Sequence, residues 1–344
     1  MTTATEKTVL DTEHTVQDIL ASIDRERERE IIARRYGLFD RKETLEQIGE
    51  LLGITRERVR QLEKSVMTRL RSSAATLPHI TEVEAAMLTA IEAAGQTARV
   101  TALGAVLTAE NTRTDQSRLA FLSELSPRVS SLSEDDNFYQ AAGNGSVHDE
   151  AAIKREVGQL VKAVSEAGKP LEVKELTRAA EMPNDVYTAA LAGTSKQLAT
   201  LNGRWGLVKW PTVNPKNIRD KIYVILSEHG KHMHFNEIAE AIKASDFKRK
   251  DVTTQAIHNE LIKDKRFVLI GRGIYALREW GYQKGTVADI ITEVLKEAGE
   301  PLHRDEIVKR VLKSRFVKET TILLNLQSKP QFKRVAKATY ELAE

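Results

Sequence analysis

The clearest pattern of apolar and polar positions lies in residues 44–71, TLEQIGELLGITRERVRQLEKSVMTRLR. Leu45, Ile48, Leu51 and Leu52 recur at the spacing of one helix face, and Thr44 followed by Gln47 three residues on marks a capping-box start. The pattern predicts a short first helix. Gly53 then offers a left-handed turn position, Ile54 an apolar plug, and Thr55 the cap of a second helix that buries Val59, Leu62, Val66 and Leu70. Two capped helices joined in this way make a helix-turn-helix.

A second pattern fills the chain beyond residue 80, where four segments share one plan. Each opens with an apolar-periodic helix that stops at a glycine: Gly95, Gly168, Gly230 or Gly299. A short extended pair and two further helices follow, and the segment closes with two β-capable runs around a small turn. QLATLNGRWGLVKW, RFVLIGRGIYALREW and FKRVAKATYELAE are the clearest closing runs. Three helices and a terminal hairpin form a winged helix. The expected fold class is therefore mainly α with small β wings, a helix-turn-helix domain followed by a tandem array of winged-helix modules. The pattern divides the chain into a flexible start at 1–15, the helix-turn-helix at 16–79, and modules at 80–146, 149–211, 212–282 and 283–344. Clusters of Gly, Ser, Pro and Asn at 141–150 and 210–217 read as linkers, which predicts a beaded rather than compact chain.

Charge sharpens the picture at one place. Between Arg56 and Arg71 stand Arg56, Arg58, Arg60, Lys64, Arg69 and Arg71 against Glu57 and Glu63, a local charge of +4 in a chain whose net charge is +3. Such a helix suits the major groove of double-stranded DNA, where arginine grips guanine, glutamate accepts from cytosine and glutamine pairs with adenine. Arg56, Glu57, Arg60 and Gln61 are the candidate base readers. The plainer alternative, a solvated helix pair laced with salt bridges, has no need of the Gly-Ile-Thr turn. Elsewhere residues 80–146 carry −5, with Asp135 and Asp136 at the expected tip of the first wing, whereas 212–282 carry +4 and 283–344 carry +3.

The stretch from Ile23 to Arg71, with RERERE and IIARRYGL ahead of TLEQIGELLGITRERVRQLEK and a closing TRLR, resembles region four of the housekeeping sigma factors of bacterial RNA polymerase. That resemblance implies recognition of the upstream minus-35 promoter hexamer and docking on the flap of the polymerase beta subunit. By position it implies base contacts for Arg56, Glu57, Arg60 and Gln61 and phosphate contacts for Arg35 and Arg58, with Thr55 and Lys64 on the same DNA-facing side. About twenty residues precede the match, so the aromatic-rich helical region that captures melted promoter DNA is not expected, nor is promoter opening by this chain alone.

The second to fourth segments resemble the HARE-HTH winged helices, a family that includes the amino-terminal domain of the polymerase delta subunit of Gram-positive bacteria. Helices ending in EAG or EHG, the LEVKEL and HFNEIAEAI helices, and the GRWGL, GRGIYAL and KATYEL wings carry this likeness. It implies contact with polymerase or with DNA. On that reading Arg204, Trp205, Arg272 and Lys337 reach a groove or backbone from the wings, and Lys248, Arg249 and Lys250 meet phosphate. The plainer reading makes Trp205, Ile274, Tyr275 and Tyr340 hairpin core and the cations ordinary solvated tips.

Other chemistries find little footing. There is no cysteine, which excludes disulfides, thiolate nucleophiles and cysteine-ligated metals and fits a reducing cytoplasm. No signal peptide or run of about 18 apolar residues is present. His229, His232 and His234 are the only histidine cluster in the sequence and lack a second element to converge with, so no metal is expected. No phosphate loop, hydrolase elbow or paired catalytic carboxylates stands out, so no enzyme, cofactor or small-molecule substrate is expected. Three readings remain: a DNA-binding transcription regulator at the nucleoid, a polymerase-associated scaffold with little DNA affinity, and a nucleoid organiser.

Overall fold

Asp11 accepts a hydrogen bond from the His14 amide at 3.0 Å and starts α1 (Thr12–Ala21), which is followed by α2 (Glu26–Tyr36). The computed structural model to which these elements belong describes residues 9–247, 251–282 and 284–343. The chain divides into two compact units, 1–209 and 210–344. Because α1 begins at Thr12 and the Leu10 amide bonds to the Leu107 carbonyl at 2.8 Å, the flexible start expected for residues 1–15 is corrected from Leu10 onward.

Local chemistry sets the helix-turn-helix. Thr44 and Gln47 cap each other at the start of α3 (Leu45–Leu52), and the Thr55 hydroxyl accepts from the Arg58 amide at 3.2 Å to start α4 (Arg56–Ser72). Ile31, Ile48 and Val59 close a small core, with Leu45, Leu52, Ile54 and Leu62 packed around it. Leu51 departs from the expected apolar face: it is 55% exposed, since an eight-residue helix offers one narrow stripe to α2 and α4.

The first unit continues through α5 (Ile80–Ala94), β1 (Thr97–Arg99), α6 (Val100–Leu107), α7 (Arg113–Leu125), β2 (Val129–Leu132) and β3 (Ala141–Asn144). The same order returns in α8 (Glu150–Ala167), β4 (Leu171–Glu172), α9 (Val173–Ala179), α10 (Asp185–Thr194), β5 (Leu198–Leu201) and β6 (Arg204–Leu207). In each case the final strand lies between the other two, antiparallel to both. This is the winged-helix plan. The linker expected at 141–150 is corrected: β3 occupies 141–144, fully buried, and Asp149 caps α8. Small residues there serve a close-packed strand, which composition alone confuses with a loop.

One apolar cluster runs from the helix-turn-helix into the first module, taking Val16 and Ile19 from α1, Val66 and Leu70 from α4, Met87 and Ile91 from α5, and Leu119 and Phe121 from α7. Arg118, 7% exposed, fastens the same parts together: it donates to the Leu38 carbonyl at 2.8 Å and pairs with Glu13 at 2.7 Å. Every residue of α7 from Arg118 to Ser123 is buried. The first wing is also occupied. Within its 133–140 loop, Tyr139 donates its amide to the Thr194 carbonyl at 2.9 Å, and the Lys196 amide donates to Asn137 at 2.7 Å. The wing therefore docks on the second module, and α10 packs on β1. The beaded chain expected from composition is corrected within this unit, because apolar residues far apart in sequence share one core.

The second unit repeats the plan in α11 (Ile218–His229), β7 (Met233–His234), α12 (Phe235–Ala244), α13 (Thr254–Lys263), β8 (Phe267–Gly271) and β9 (Ile274–Leu277). It ends with α14 (Val287–Ala298), β10 (Leu302–His303), α15 (Arg304–Ser314), α16 (Glu319–Ser328), β11 (Phe332–Ala336) and β12 (Thr339–Leu342). The two modules meet where the Phe316 amide donates to the Ile270 carbonyl at 3.2 Å and the Phe316 ring lies 4.4 Å from that of His232. The last module has its own core around Ile291, Ile307, Ile322 and Phe332. Among the described residues no helix is long and apolar enough to cross a membrane.

Candidate nucleic-acid interface

The interface is built on α4. Val59, Val66 and Leu70 are 0–3% exposed and anchor one side, which turns Arg56, Glu57, Arg58, Arg60, Gln61 and Lys64 outward. The six cations counted along this helix do not all remain available. Arg69 pairs with Glu28 at 2.7 Å, and Arg71 pairs with Glu124 of α7 at 2.7 Å. Arg60 grips Glu57 with two bonds, at 2.9 and 2.7 Å, and Gln61 adds a third to the same carboxylate at 3.3 Å. The Arg60 guanidinium holds the Glu57 carboxyl down at about 2, so this contact is ionised throughout the neutral range. Arg58 reaches only the Gln61 carbonyl, at 3.4 Å, while Arg56 and Lys64 make no ion pair among the described residues.

Arg35 lies half-buried beside α4, 3.3 Å from Glu63, whose carboxyl is pushed up by burial against the opposing pull of Arg35. Its position is at the rim of the helix-turn-helix rather than on the face of α4. Thr55 is exposed, its hydroxyl engaged as the helix cap. The residue that pattern reading missed is Gly49. It is buried, and a Cβ there would stand 2.8 Å from the Ile54 carbonyl oxygen, so only glycine lets α3 approach the turn this closely. A glycine inside an otherwise apolar-periodic helix was the available signal. Gly53, by contrast, has φ 65° and open space around its Cα, the left-handed position expected of it.

The other candidates are dispersed. Arg204 is exposed on β6 and Trp205 beside it is half-buried. Arg272 is exposed in the β8–β9 turn, and Lys337 is exposed in the β11–β12 turn with Lys333 and Arg334 on the adjoining strand. Tyr275 and Tyr340 are buried at 2% and 7%, as hairpin core. Lys248, Arg249 and Lys250 lie outside the described residues. Asp135, expected to repel phosphate from an open tip, instead accepts from the amides of Asn137 and Phe138 within the docked loop, and those bonds hold its carboxyl below the usual range. His229, His232 and His234 do not converge on one point. Histidines do gather elsewhere: His14 and His79, 65 residues apart, approach one oxygen of Asp18 at 3.5 and 2.8 Å and tie α1 to the start of α5.

A capped helix-turn-helix with a cationic, outward-facing second helix thus forms the head of the first unit. Residues 25–72 match the family Sigma-70, region 4. Among curated proteins, the RNA polymerase sigma factor SigA1 of Synechococcus elongatus is 52% identical over 46 residues, covering 13% of this chain and 12% of that protein. RpoD of Helicobacter pylori strain ATCC 700392 is 46% identical over 59 residues, covering 17% and 9%. SigA of Nostoc sp. PCC 7120 is 50% identical over 46 residues, covering 13% and 12%. The chain thus spans about a tenth of the length of these relatives, and the shared part is the helix-turn-helix.

Proposed function

We propose that this protein is a DNA-binding transcription regulator that reads minus-35-like promoter DNA through α4 and works in association with RNA polymerase, docking on its beta flap. The observation that carries this reading is the first three turns of α4, where Arg56, Glu57, Arg58, Arg60, Gln61 and Lys64 are exposed on a helix fixed from behind by a shared core. The action is binding rather than catalysis, without cofactor, at the nucleoid. The remaining modules divide by what they leave open. In the first two, the third helices α7 and α10 are engaged by neighbours. In the last, α16 exposes Thr320, Thr321, Leu324 and Gln327 beside the cations of the β11–β12 wing. On the HARE-HTH likeness, the modules of residues 210–344 hold further DNA or polymerase surface.

Fluorescence anisotropy of the full chain on a duplex carrying TTGACA and on a scrambled duplex, across a salt series, tests the proposal. Tighter, salt-sensitive binding to the hexamer is expected, with loss of the preference in Arg60→Ala/Gln61→Ala. Equal binding to both duplexes would replace it with the nucleoid-organiser reading. A second reading, a polymerase-associated scaffold, draws on the engagement of α7 and α10 and on the −5 charge of residues 80–146. It requires polymerase capture that survives removal of the α4 cations, with no measurable duplex binding.

A further inference from the structure

A cleft of about 640 Å³ opens in the first unit where four segments meet: the α2–α3 connection, the start of α6, the first turns of α7 and the 133–140 loop. Arg41, Lys42, Arg99 and Arg113 line it, against Asp40 and Glu134. Glu134 is already taken by Lys196 at 2.7 Å, and none of the four cations forms an ion pair among the described residues. Arg99 is the most telling. It is half-buried, lies 3.8 Å over the Tyr139 ring, and bonds to the Gly193 carbonyl, with no carboxylate to answer its charge. Burial disfavours its charged form accordingly. A guanidinium withdrawn from water without a counter-ion is costly, and an anion in the cleft would relieve that cost.

We infer that this cleft binds a small ligand carrying two or more phosphate groups. Its volume falls within the range of small-molecule sites. Three guanidinium forks match phosphate oxygens in pairs, and an excess of four cations over one uncommitted carboxylate calls for a multiply charged ligand. The hydroxyls of Thr101, Thr114 and Ser117 line the same space as further hydrogen-bonding groups. The site lies away from α4, so it does not rest on the promoter-reading proposal. Its position gives it a role: the ligand would bridge the α2–α3 connection of the DNA-binding head to α7 and to the wing docked on the second module, clamping the head in place.

Calorimetric titration of the full chain at low salt with inorganic pyrophosphate, tripolyphosphate and acetate tests this. Expected is saturable one-to-one binding of the two phosphate probes, tighter for tripolyphosphate, with no acetate binding. Lys42→Ala/Arg113→Ala should weaken it at least about tenfold. Both residues are exposed, so the fold is retained, and Lys174→Ala, on a different element, should leave the affinity unchanged. Absence of saturable binding, or equal affinity in the double variant, would overturn the inference. So would a double variant that loses duplex affinity when neither probe binds, since the cleft would then be a DNA-backbone contact.

Discussion

On the proposed DNA-reading role, the salt dependence of binding should separate the cations of α4 that are free to face phosphate from those that hold the fold. Each phosphate neutralised changes log K by about −0.9 per decade of salt, which is about 3.5-fold in affinity between 50 and 200 mM. Six free cations would contribute a slope of about −5.4, an affinity change near 1,800-fold over that range. The structure leaves Arg56, Arg58 and Lys64 uncommitted to carboxylates, which gives about −2.7 and about 40-fold. Arg58→Ala/Lys64→Ala should therefore reduce the measured slope by about 1.8 with little change in melting temperature. Arg69→Ala/Arg71→Ala should leave the slope as it is and lower the melting temperature, because those side chains serve Glu28, 6% exposed, and Glu124. Anisotropy at four or five salt concentrations, with thermal melts alongside, gives both quantities. A fall of about 1.8 in the Arg69/Arg71 variant, or none in the Arg58/Lys64 variant, would refute the assignment.

Four further outcomes follow from the same geometry. Gly49→Ala should disrupt the turn and abolish duplex binding, since its Cβ would meet the Ile54 carbonyl at 2.8 Å, while Gly53→Ala should cost only about 1–2 kcal/mol of left-handed strain and keep binding, as denaturation and anisotropy would record. Arg118→Met should cost about 1–3 kcal/mol in urea unfolding, the range for orphaning the Leu38 carbonyl, because Glu13 is 54% exposed and can return to water. His148 is buried, 2.8 Å from the Thr97 hydroxyl, and burial lowers its pKa from 6.5, so the unfolded chain binds the proton more tightly; stability should fall as pH drops below about 6.5, and melts of His148→Gln should show a weaker pH dependence than wild type. Glu57→Gln should release Arg60, raising affinity for the scrambled duplex, steepening its salt slope by about 0.9 and reducing preference for the hexamer, with unchanged values on both duplexes counting against the pairing.

What could be read from the sequence was what neighbouring residues decide. Thr44 with Gln47, Thr55 with the Arg58 amide, and Gly53 at φ 65° are contacts within a few positions, and the chain order of each winged module follows from its own glycine stop and hairpin turn. The Asn202–Gly203 turn, both residues at positive φ, sets the register Leu201 to Arg204. What the pattern could not supply was which surfaces are covered. Arg118 meets Glu13 across 105 residues, Arg71 meets Glu124 across 53, and the loop carrying Asp135 seats itself on Lys196 and Thr194. An arginine bound to phosphate and one bound to a distant glutamate look alike in a charge count.

That difference bears on how the array works. A winged helix reads DNA by laying its third helix in the major groove, and a helix without a free face cannot do so. Here α7 is buried from Arg118 to Ser123 between its own module and α1, α2 and α4, and α10, which has no basic residue, packs against β1. The third helices of the first two modules are thus taken up in packing within the first unit. The result is rigidity: the core that holds Val66 and Leu70 at the back of α4 also contains Met87, Leu103 and Phe121, so α4 stands on a folded platform rather than on the small core of Ile31, Ile48 and Val59 alone. On the proposed reading, a recognition helix held in this way would enter the groove with little ordering left to do, leaving binding energy for distinguishing bases.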